Sequence, residues 1–458
     1  MKELEQAIYQ KYIVPTKRKR TKAVGIEIEL PIVNLEKKPV DFALVHEMTG
    51  AFIDRFGFTK THRDDNGDIY SAESPETGDG LSYDCSYNTL EFSFGVEENL
   101  HIIWARFTAY YSFVQDYFRP HHHTLTGMGV NPYREYNKKE PVASERYRML
   151  FHHLSAYPTY ENAILFHTHP DFGMFSCASQ VQMDVEEEML PEVINTFSKL
   201  EPLKALLFAN SPWDEVNHEL LCSRDWFWKN SMHGINPHNV DMYEVEIHNA
   251  EEMCAYIASM SMYCVERDGK YINFPPIRLE EYFTSSHIEG EYFDGKEYRK
   301  AVFVPQMEDL AYLRSFKFED LTFRGTVEFR SVCCQPVSEA LTVAAFHAGL
   351  MEELPELKKL LDEDHVIYGH GYHAGELRAL FNQKKLPEFV DPAQVAELLQ
   401  QVLHLASDGL AKRGHGEEKF LTPLYRRAES LNSPAREMEE GIQSGRSLEG
   451  YILKYSNL

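Results

Sequence analysis

The sequence lacks the cysteine spacing of a disulfide framework. Its seven cysteines are scattered along 458 residues and form neither a CxxC pair nor a regular framework. Small secreted domains carry an even, closely spaced set, whereas an odd and scattered set in a long chain is typical of reduced thiols. We therefore expect a cytoplasmic protein whose cysteines are reduced.

Long apolar runs are also missing. No stretch approaches the roughly 18 continuous apolar residues of a membrane-spanning helix. The N-terminal segment MKELEQAIYQKYIVPTKRKR has no apolar core of the kind found in signal peptides. Hydrophobic residues nevertheless make up 43% of the chain and aromatic residues 13%, which is enough to bury a core of normal size. We expect a soluble globular protein with no membrane partner.

Positive charge is in deficit. The chain has 46 lysines and arginines against 71 aspartates and glutamates, a formal net charge of −25. A field of this sign repels a phosphate backbone, so nucleic acid is not an expected partner. A nucleoside triphosphate would have to meet local positive charge or bridging metal ions in its site. The expected partners are therefore small molecules, and the expected oligomeric state is a monomer or a dimer.

Segments with strand and helix patterns follow each other without a regular β-α rhythm. Period-two alternation or short apolar runs predict strands at residues 24–30, 88–96, 124–131, 177–185 and 322–331. Helical spacing predicts helices at residues 99–118 and 186–208 and from about residue 339 to the end, with GLAKRG as a helix terminus. Residues 62–87 indicate a loop around a shorter strand.

This order favours an α+β protein with a largely antiparallel sheet. No repeat, low-complexity linker or domain boundary is apparent, so we predict one domain over residues 1–458. Residues 20–335 are the most strand-rich part and carry the candidate site, whereas residues 339–458 are mainly helical.

Carboxylates fall at corresponding positions in several predicted strands. Glu27 and Glu29 in GIEIEL are two residues apart, so both side chains point to one side of a strand. Glu91 in NTLEFSF and Glu328 in GTVEFRS lie in the middle of strands among apolar residues. Arg330 shares the face of Glu328. A sheet with one acidic face must present that face to a ligand or to solvent.

A further predicted strand, CASQVQMDV, places Gln180, Gln182 and Asp184 on one face. Like charges crowded on such a face are destabilising unless a cation neutralises them. Oxygen ligands without cysteine or a histidine pair favour Mg²⁺, with Mn²⁺ as an alternative, over Zn²⁺. For a single strand a solvated face is the simpler interpretation, but the same pattern in several strands favours a metal site.

Basic residues near these strands could bind the oxygens of a nucleotide or a carboxylate. The candidates are Arg146 in SERYRM, Arg224 in LLCSRDW, and Arg324 and Arg330 on either side of Glu328. Enzymes that transfer a phosphoryl group from ATP commonly combine carboxylate-bound Mg²⁺ with basic side chains of this kind. An arginine taken singly is more often a surface residue or an ion-pair partner.

The motifs GIEIELPIV, LSYDCSYNTLEFS, TGMGVNPY, SERYRML, SCASQVQMDV, LLFANSPW, FRGTVEFRS and GLAKRG…EEKFLTPL occur in the order found in glutamate–cysteine ligases. From residue 25 to residue 424 the chain resembles that family, most closely its proteobacterial and plant type. Each motif is weak alone, but the ordered set is specific. It does not specify the amine acceptor.

The resemblance implies a glutamine-synthetase-like fold, in which a curved antiparallel sheet lined with metal-binding carboxylates is backed by helices. It implies a reaction in which ATP phosphorylates the γ-carboxylate of glutamate and the amine of cysteine displaces the phosphate. The residues it assigns to metal binding are Glu27, Glu29, Asp84, Glu91, Gln182 and Glu328. It assigns Glu328, Arg330 and Arg224 to catalysis and Arg146 and Arg224 to substrate binding. Gln180 and Arg324 are further candidates for binding substrates or ATP.

Two departures from the family pattern concern the substrate contacts. The segment around Asp84 reads SYDCSYNTLEF where relatives carry glycines and an acidic residue, and SVCCQP follows Glu328 where relatives carry a small or acidic stretch. Cysteine is therefore the expected acceptor by default, and another small amine remains an alternative. A metal-dependent hydrolase and a non-catalytic binding relative are alternatives from other classes.

Overall fold

The computed structural model describes residues 2–156, 167–213 and 219–458. Within these ranges no helix combines the length and the apolar character needed to cross a lipid bilayer. All seven cysteines are free thiols, and all except Cys85 are buried.

The described residues form fifteen strands. They are β1 Val24–Asn34, β2 Lys60–Arg63, β3 Ile69–Glu73, β4 Gly80–Ser82, β5 Thr89–Glu97, β6 His123–Leu125, β7 Ser179–Asp184, β8 Val240–Asp241, β9 Ser261–Arg267, β10 Lys270–Arg278, β11 Ile288–Phe293, β12 Tyr298–Phe303, β13 Phe316–Lys317, β14 Glu319–Leu321 and β15 Thr326–Phe329.

The same residues form fifteen α-helices. They are α1 Lys2–Ile8, α2 Phe42–Phe56, α3 Leu100–Phe118, α4 Glu145–Ser155, α5 Leu190–Phe208, α6 Ser223–Lys229, α7 Ala250–Ala258, α8 Leu279–Thr284, α9 Thr342–Glu352, α10 Leu354–Asp362, α11 Ala374–Phe381, α12 Pro392–Arg413, α13 Thr422–Ser430, α14 Pro434–Gln443 and α15 Leu448–Tyr455.

Nine strands form one large sheet. Eight of them are ordered β14-β15-β7-β1-β5-β4-β3-β2, and β6 pairs with the far end of β1. All of these pairings are antiparallel. A separate four-stranded sheet has the order β12-β11-β10-β9 and is antiparallel too, and β8 and β13 form a short parallel pair. The predicted α+β class with a largely antiparallel sheet is confirmed.

The two faces of the large sheet differ because side chains alternate along a strand. On β1, Ile26, Ile28 and Leu30 are buried, whereas Glu27 and Glu29 point to the other side and are only half-buried. Helices α3, α5 and α9 cover the apolar face, and α12 packs behind α9. One face is thus sealed by helices, and the acidic face is left to carry the site.

Several predicted boundaries were right and others were wrong. Helix α3 matches the predicted helix at residues 99–118, and α12 ends at GLAKRG with Gly414 in the left-handed region at φ 80°. Residues 62–87 hold two full strands and the end of a third instead of one short strand. The predicted strand at 124–131 ends at Leu125, because Gly127 and Gly129 bond instead to the carbonyl oxygens of Tyr455 and Asn210.

Candidate active site

Four glutamates from three strands form a row on the acidic face of the large sheet. Glu29 of β1 lies opposite Glu91 of β5 in the antiparallel register. Glu27 lies two residues earlier on β1, and Glu328 lies on β15, separated from β1 only by β7. We call Glu27, Glu29, Glu91 and Glu328 the carboxylate row. The strand periodicity predicted their common face, and the register places them side by side.

Two glutamines of β7 link the row across the sheet. Gln180 donates through Nε2 to Oε1 of Glu29 at 2.9 Å. Gln182 donates through Nε2 both to Oε1 of Glu27 at 3.2 Å and to Oε1 of Glu328 at 3.0 Å. The amides hold three carboxylates in fixed orientations, so the row is organised before any ligand arrives.

A candidate metal centre lies at one end of the row. One carboxylate oxygen from each of Glu29, Asp84 and Glu91 lies within 4.8 Å of the other two. Asp84 follows β4 and precedes Cys85, whose left-handed backbone (φ 63°) turns the chain beside the sheet. Gln180 adds a buried Oε1 that has no hydrogen-bond partner among the described residues. Converging oxygen ligands of this kind fit Mg²⁺ or Mn²⁺.

The electrostatics of the row also favour a bound cation. Burial and the neighbouring Glu328 carboxylate raise the pKa of Glu27 to about 8. Burial and Asp84 raise the pKa of Glu29 to about 7. Burial and the carboxylates of Glu27 and Glu29 raise the pKa of Glu91 well above its usual range. A divalent cation would remove this cost because it stabilises the ionised form of each carboxylate.

A cavity of about 140 Å³ opens beside the metal centre. Glu29, Asp84 and Gln180 line it on the sheet side. Its basic residues are Arg146, Arg224, Arg314 and Arg330, and its aromatic wall consists of Trp228, Tyr263, Tyr271, Phe316 and Phe318. Carboxylates that could hold a metal ion lie on one side and four guanidinium groups surround them, an arrangement suited to anionic groups.

Three of the four arginines, Arg146, Arg224 and Arg314, have no carboxylate partner in the part of the chain that the structure describes, whereas Arg330 pairs with Glu328. Arg224 is buried and donates through Nη1 to the carbonyl oxygens of Val332 at 3.2 Å and Ser331 at 3.4 Å. Arg314 donates to the carbonyl oxygens of Ala311 and Leu313. In a chain with so many surplus carboxylates, unpaired guanidinium groups beside a cavity are available to bind a ligand's anionic oxygens.

Arg330 and Arg324 lie at different places along the row. Arg330 donates through Nη1 to Oε2 of Glu328 at 2.8 Å and also lines the cavity. Arg324 is exposed, lies in the turn before β15 and donates to Oε1 of Gln182 at 2.7 Å. The structure therefore brings Arg330 to the cavity and leaves Arg324 near the far end of the row.

Of the residues predicted for the site, the structure brings together the carboxylate row, Asp84, Gln180, Gln182, Arg146, Arg224 and Arg330. Asp184 shares the face of Gln182 but is engaged elsewhere, since it accepts hydrogen bonds from Arg18 at 2.6 Å and from the Thr21 hydroxyl. It has a structural role at the end of the sheet.

Some residues in or beside the cavity were not predicted from sequence patterns. Arg314 lies in an irregular segment before β13, so no periodicity marks it. Asp320 lies opposite Glu328 in the β14–β15 pair, and burial together with Glu328 raises its pKa to about 7. Alternation in the segment FKFEDLTF does not single out Asp320, because it puts Asp320 on the same side as Phe316 and Phe318. The aromatic wall comes partly from β9 and β10, for which the sequence predicts no strand.

Comparison with protein families gives a match over nearly the whole chain. The model of glutamate-cysteine ligase family 2 matches residues 23–452. This range contains the carboxylate row, both glutamines of β7 and all the arginines of the cavity.

Individual relatives are distant. A chloroplastic glutamate–cysteine ligase from Nicotiana tabacum is 24% identical over 59% of this chain and 50% of its own length, so the chain spans about half the length of that relative. The chloroplastic enzyme of Medicago truncatula is 21% identical over 88% of this chain and 75% of its own. A crystal structure of the Francisella tularensis glutamate–cysteine ligase in complex with AMP is 12% identical, with a TM-score of 0.49 and coverage of 95% and 87%.

Proposed function

Because the chain belongs to glutamate-cysteine ligase family 2, we propose that it is an ATP- and Mg²⁺-dependent ligase that joins the γ-carboxylate of L-glutamate to the amine of L-cysteine. The products are γ-glutamylcysteine, ADP and phosphate. The observation that supports this most directly is a cluster of three carboxylates, close enough together to hold a metal ion, that borders a cavity lined by four arginines.

The residues present fit a divalent cation. Glu29, Asp84 and Glu91 would hold one ion, and Glu27 and Glu328 extend the oxygen-ligand surface along the row. Such an ion supplies positive charge that offsets the negative charge of the phosphate oxygens during phosphoryl transfer. The chain's strong net negative charge makes this local neutralisation necessary for a nucleotide substrate.

The arginines divide into two pairs by their surroundings. Arg224 and Arg330 lie close to the carboxylate row, and Arg330 is anchored to Glu328. They are placed to bind the oxygens of the phosphoryl group in transfer. Arg146 and Arg314 lie towards the aromatic wall, where they would bind the carboxylates of the two amino-acid substrates.

The enclosure of the cavity suits an intermediate that water would destroy. Phosphorylation turns an unreactive carboxylate into an acyl phosphate, which must meet the amine before it meets water. The aromatic wall and the sulfur-bearing side chains of Met149, Cys85 and Cys264 line the cavity and would limit the access of water to a bound acceptor. These soft, partly apolar groups suit a small amino acid such as cysteine, and a different small amine would use the same chemistry.

The test is ADP release from Mg-ATP and L-glutamate under reducing conditions, with cysteine compared against a panel of small amines. Omission of glutamate and omission of the amine give the two background rates. ADP release that requires both, with a γ-glutamyl product identified by mass, supports the ligase and names its acceptor.

Each alternative class predicts a different result in the same assay. A hydrolase would act without ATP. A binding relative would gain thermal stability from ligand while releasing no ADP. If neither glutamate nor any amine stimulates ADP release, the proposed function is wrong.

A further inference from the structure

A buried charged network lies behind the cavity. Its centre is Arg378 of α11, which is 4% exposed and is not among the residues that line the cavity. Its guanidinium group donates from Nε to Oδ2 of Asp225 at 2.7 Å and from Nη2 to Oδ1 at 3.2 Å. Through Nη1 it also donates to the Glu201 carbonyl at 3.0 Å and to the Glu201 carboxylate. One side chain thus ties α11 to both α5 and α6.

The charges of this network are nearly balanced. Glu201 and Lys204 of α5 are completely buried and form an ion pair. Burial alone would raise the pKa of Glu201, but Lys204 and Arg378 together lower it to about 2. A buried ion pair is weak evidence for stability, because desolvation offsets much of the attraction, and such groups are retained in some proteins for the geometry they impose.

The geometry imposed here is that of two arginines of the cavity, Arg224 and Arg330. Asp225, held by Arg378, is the residue after Arg224 on the short helix α6. Ser331 follows Arg330, and its hydroxyl donates to Glu201 at 2.9 Å. The Ser331 carbonyl lies 3.4 Å from guanidinium nitrogens of both Arg224 and Arg378. The network therefore holds both segments that bring arginines to the cavity.

We propose that Arg378 is a positioning residue that sets the place of Arg224, and of the backbone after Arg330, for the transfer of the phosphoryl group. This role rests on the proposed ligase function. Arg378 does not line the cavity, so its loss should leave substrate binding largely intact. It should slow phosphoryl transfer, in which the arginines must bind the negatively charged phosphoryl oxygens at fixed positions. A displacement of about 1 Å can cost about 100-fold in rate.

The test is Arg378→Lys, which keeps the charge but loses the two-pronged contact with Asp225. The expected result is a fall in kcat of about 10- to 100-fold with KM values for glutamate and cysteine within about threefold of wild type, which is the pattern for an interaction made mainly in the transition state. A fall in kcat no larger than in the control below, or a change carried by KM, overturns the proposal.

The matched control is Arg413→Lys. Arg413 is also buried, and it binds one carboxylate, Glu417, and the carbonyl oxygens of Lys22 and Glu98, far along the chain from the arginines of the cavity. If Arg378→Lys does not fold, Asn382→Ala replaces it, because Asn382 donates to the same Oδ2 of Asp225 at 2.5 Å. That variant should lower kcat by a smaller factor, and an unchanged kcat overturns the proposal.

The wild-type assay separates the two hypotheses. If wild type releases ADP in response to glutamate and an amine, the ligase function stands whatever the variants do, and the variants test Arg378 alone. If wild type releases no ADP under these conditions, the proposed function is wrong independently of Arg378.

Discussion

Replacing Glu91 by glutamine should make the metal-free protein more stable and the enzyme less active. Oxygens of Glu29, Asp84 and Glu91 lie within 4.8 Å of one another, and two unit charges at that distance repel by about 3 kcal/mol at an effective dielectric constant near 20. Protonation of part of the cluster reduces this repulsion, so we expect a net gain of about 1–2 kcal/mol for Glu91→Gln. For a chain of this size that corresponds to a Tm higher by about 1–4 °C.

The gain should depend on pH in a defined direction. The pKa of Glu91 is raised in the folded state, so ionisation of this group costs stability as the pH rises above about 4.3, the ordinary glutamate pKa. Glu91→Gln removes this cost. Its advantage over wild type should therefore be largest in alkaline, metal-free buffer and should disappear in acid.

The assay is thermal unfolding in EDTA and again in excess Mg²⁺, together with ADP release. Mg²⁺ should raise the Tm of wild type more than that of Glu91→Gln, because a ligand stabilises only the state that binds it. Turnover of Glu91→Gln should fall by at least about 100-fold. The control is Glu97→Gln on the same strand. The Glu97 carboxylate is not part of the row and forms an ion pair with Arg106 at 2.7 Å. A Tm in EDTA that falls as far as in the control, or near-normal turnover, refutes the reasoning.

Two further changes test other parts of the site, and a third tests a close backbone contact elsewhere in the fold. Glu328→Gln should lower the rate of ADP release by at least about 100-fold while the Tm stays near wild type, and near-normal turnover would remove Glu328 from the metal ligands. Arg314→Met should raise the KM for one of the two amino-acid substrates by about 10-fold or more, since a charge-assisted hydrogen bond contributes about 1.5–3 kcal/mol. Unchanged KM values for both substrates would exclude Arg314 from their binding. Gly127→Ala should lower the Tm, because the new Cβ would lie 2.1 Å from the Gln335 carbonyl oxygen. The control is Gly50→Ala in α2, where a new Cβ meets no atom within 4 Å and the Tm should not fall. Equal Tm values for the two variants would contradict this reasoning.

The fold class and half of the site could be predicted because they depend on local patterns. Alternation along β1 put Glu27 and Glu29 on one face, and the same argument placed Glu91 and Glu328 in the middle of strands. These assignments need only the period of a strand. The small sheet β9–β12 was missed because its strands alternate less regularly and much of its surface is half-exposed.

The sequence by itself determined that this chain has an acidic sheet face and a set of arginines, because side-chain alternation and composition are properties of the chain alone. Only the tertiary structure decided that Glu29 lies opposite Glu91, that Asp84 joins them from a loop, and that Arg314 reaches the same cavity. Those facts depend on strand register and on the packing of segments far apart in the sequence, which no local pattern encodes. The buried contacts of Arg378 have the same origin, since they join residues more than 150 positions apart.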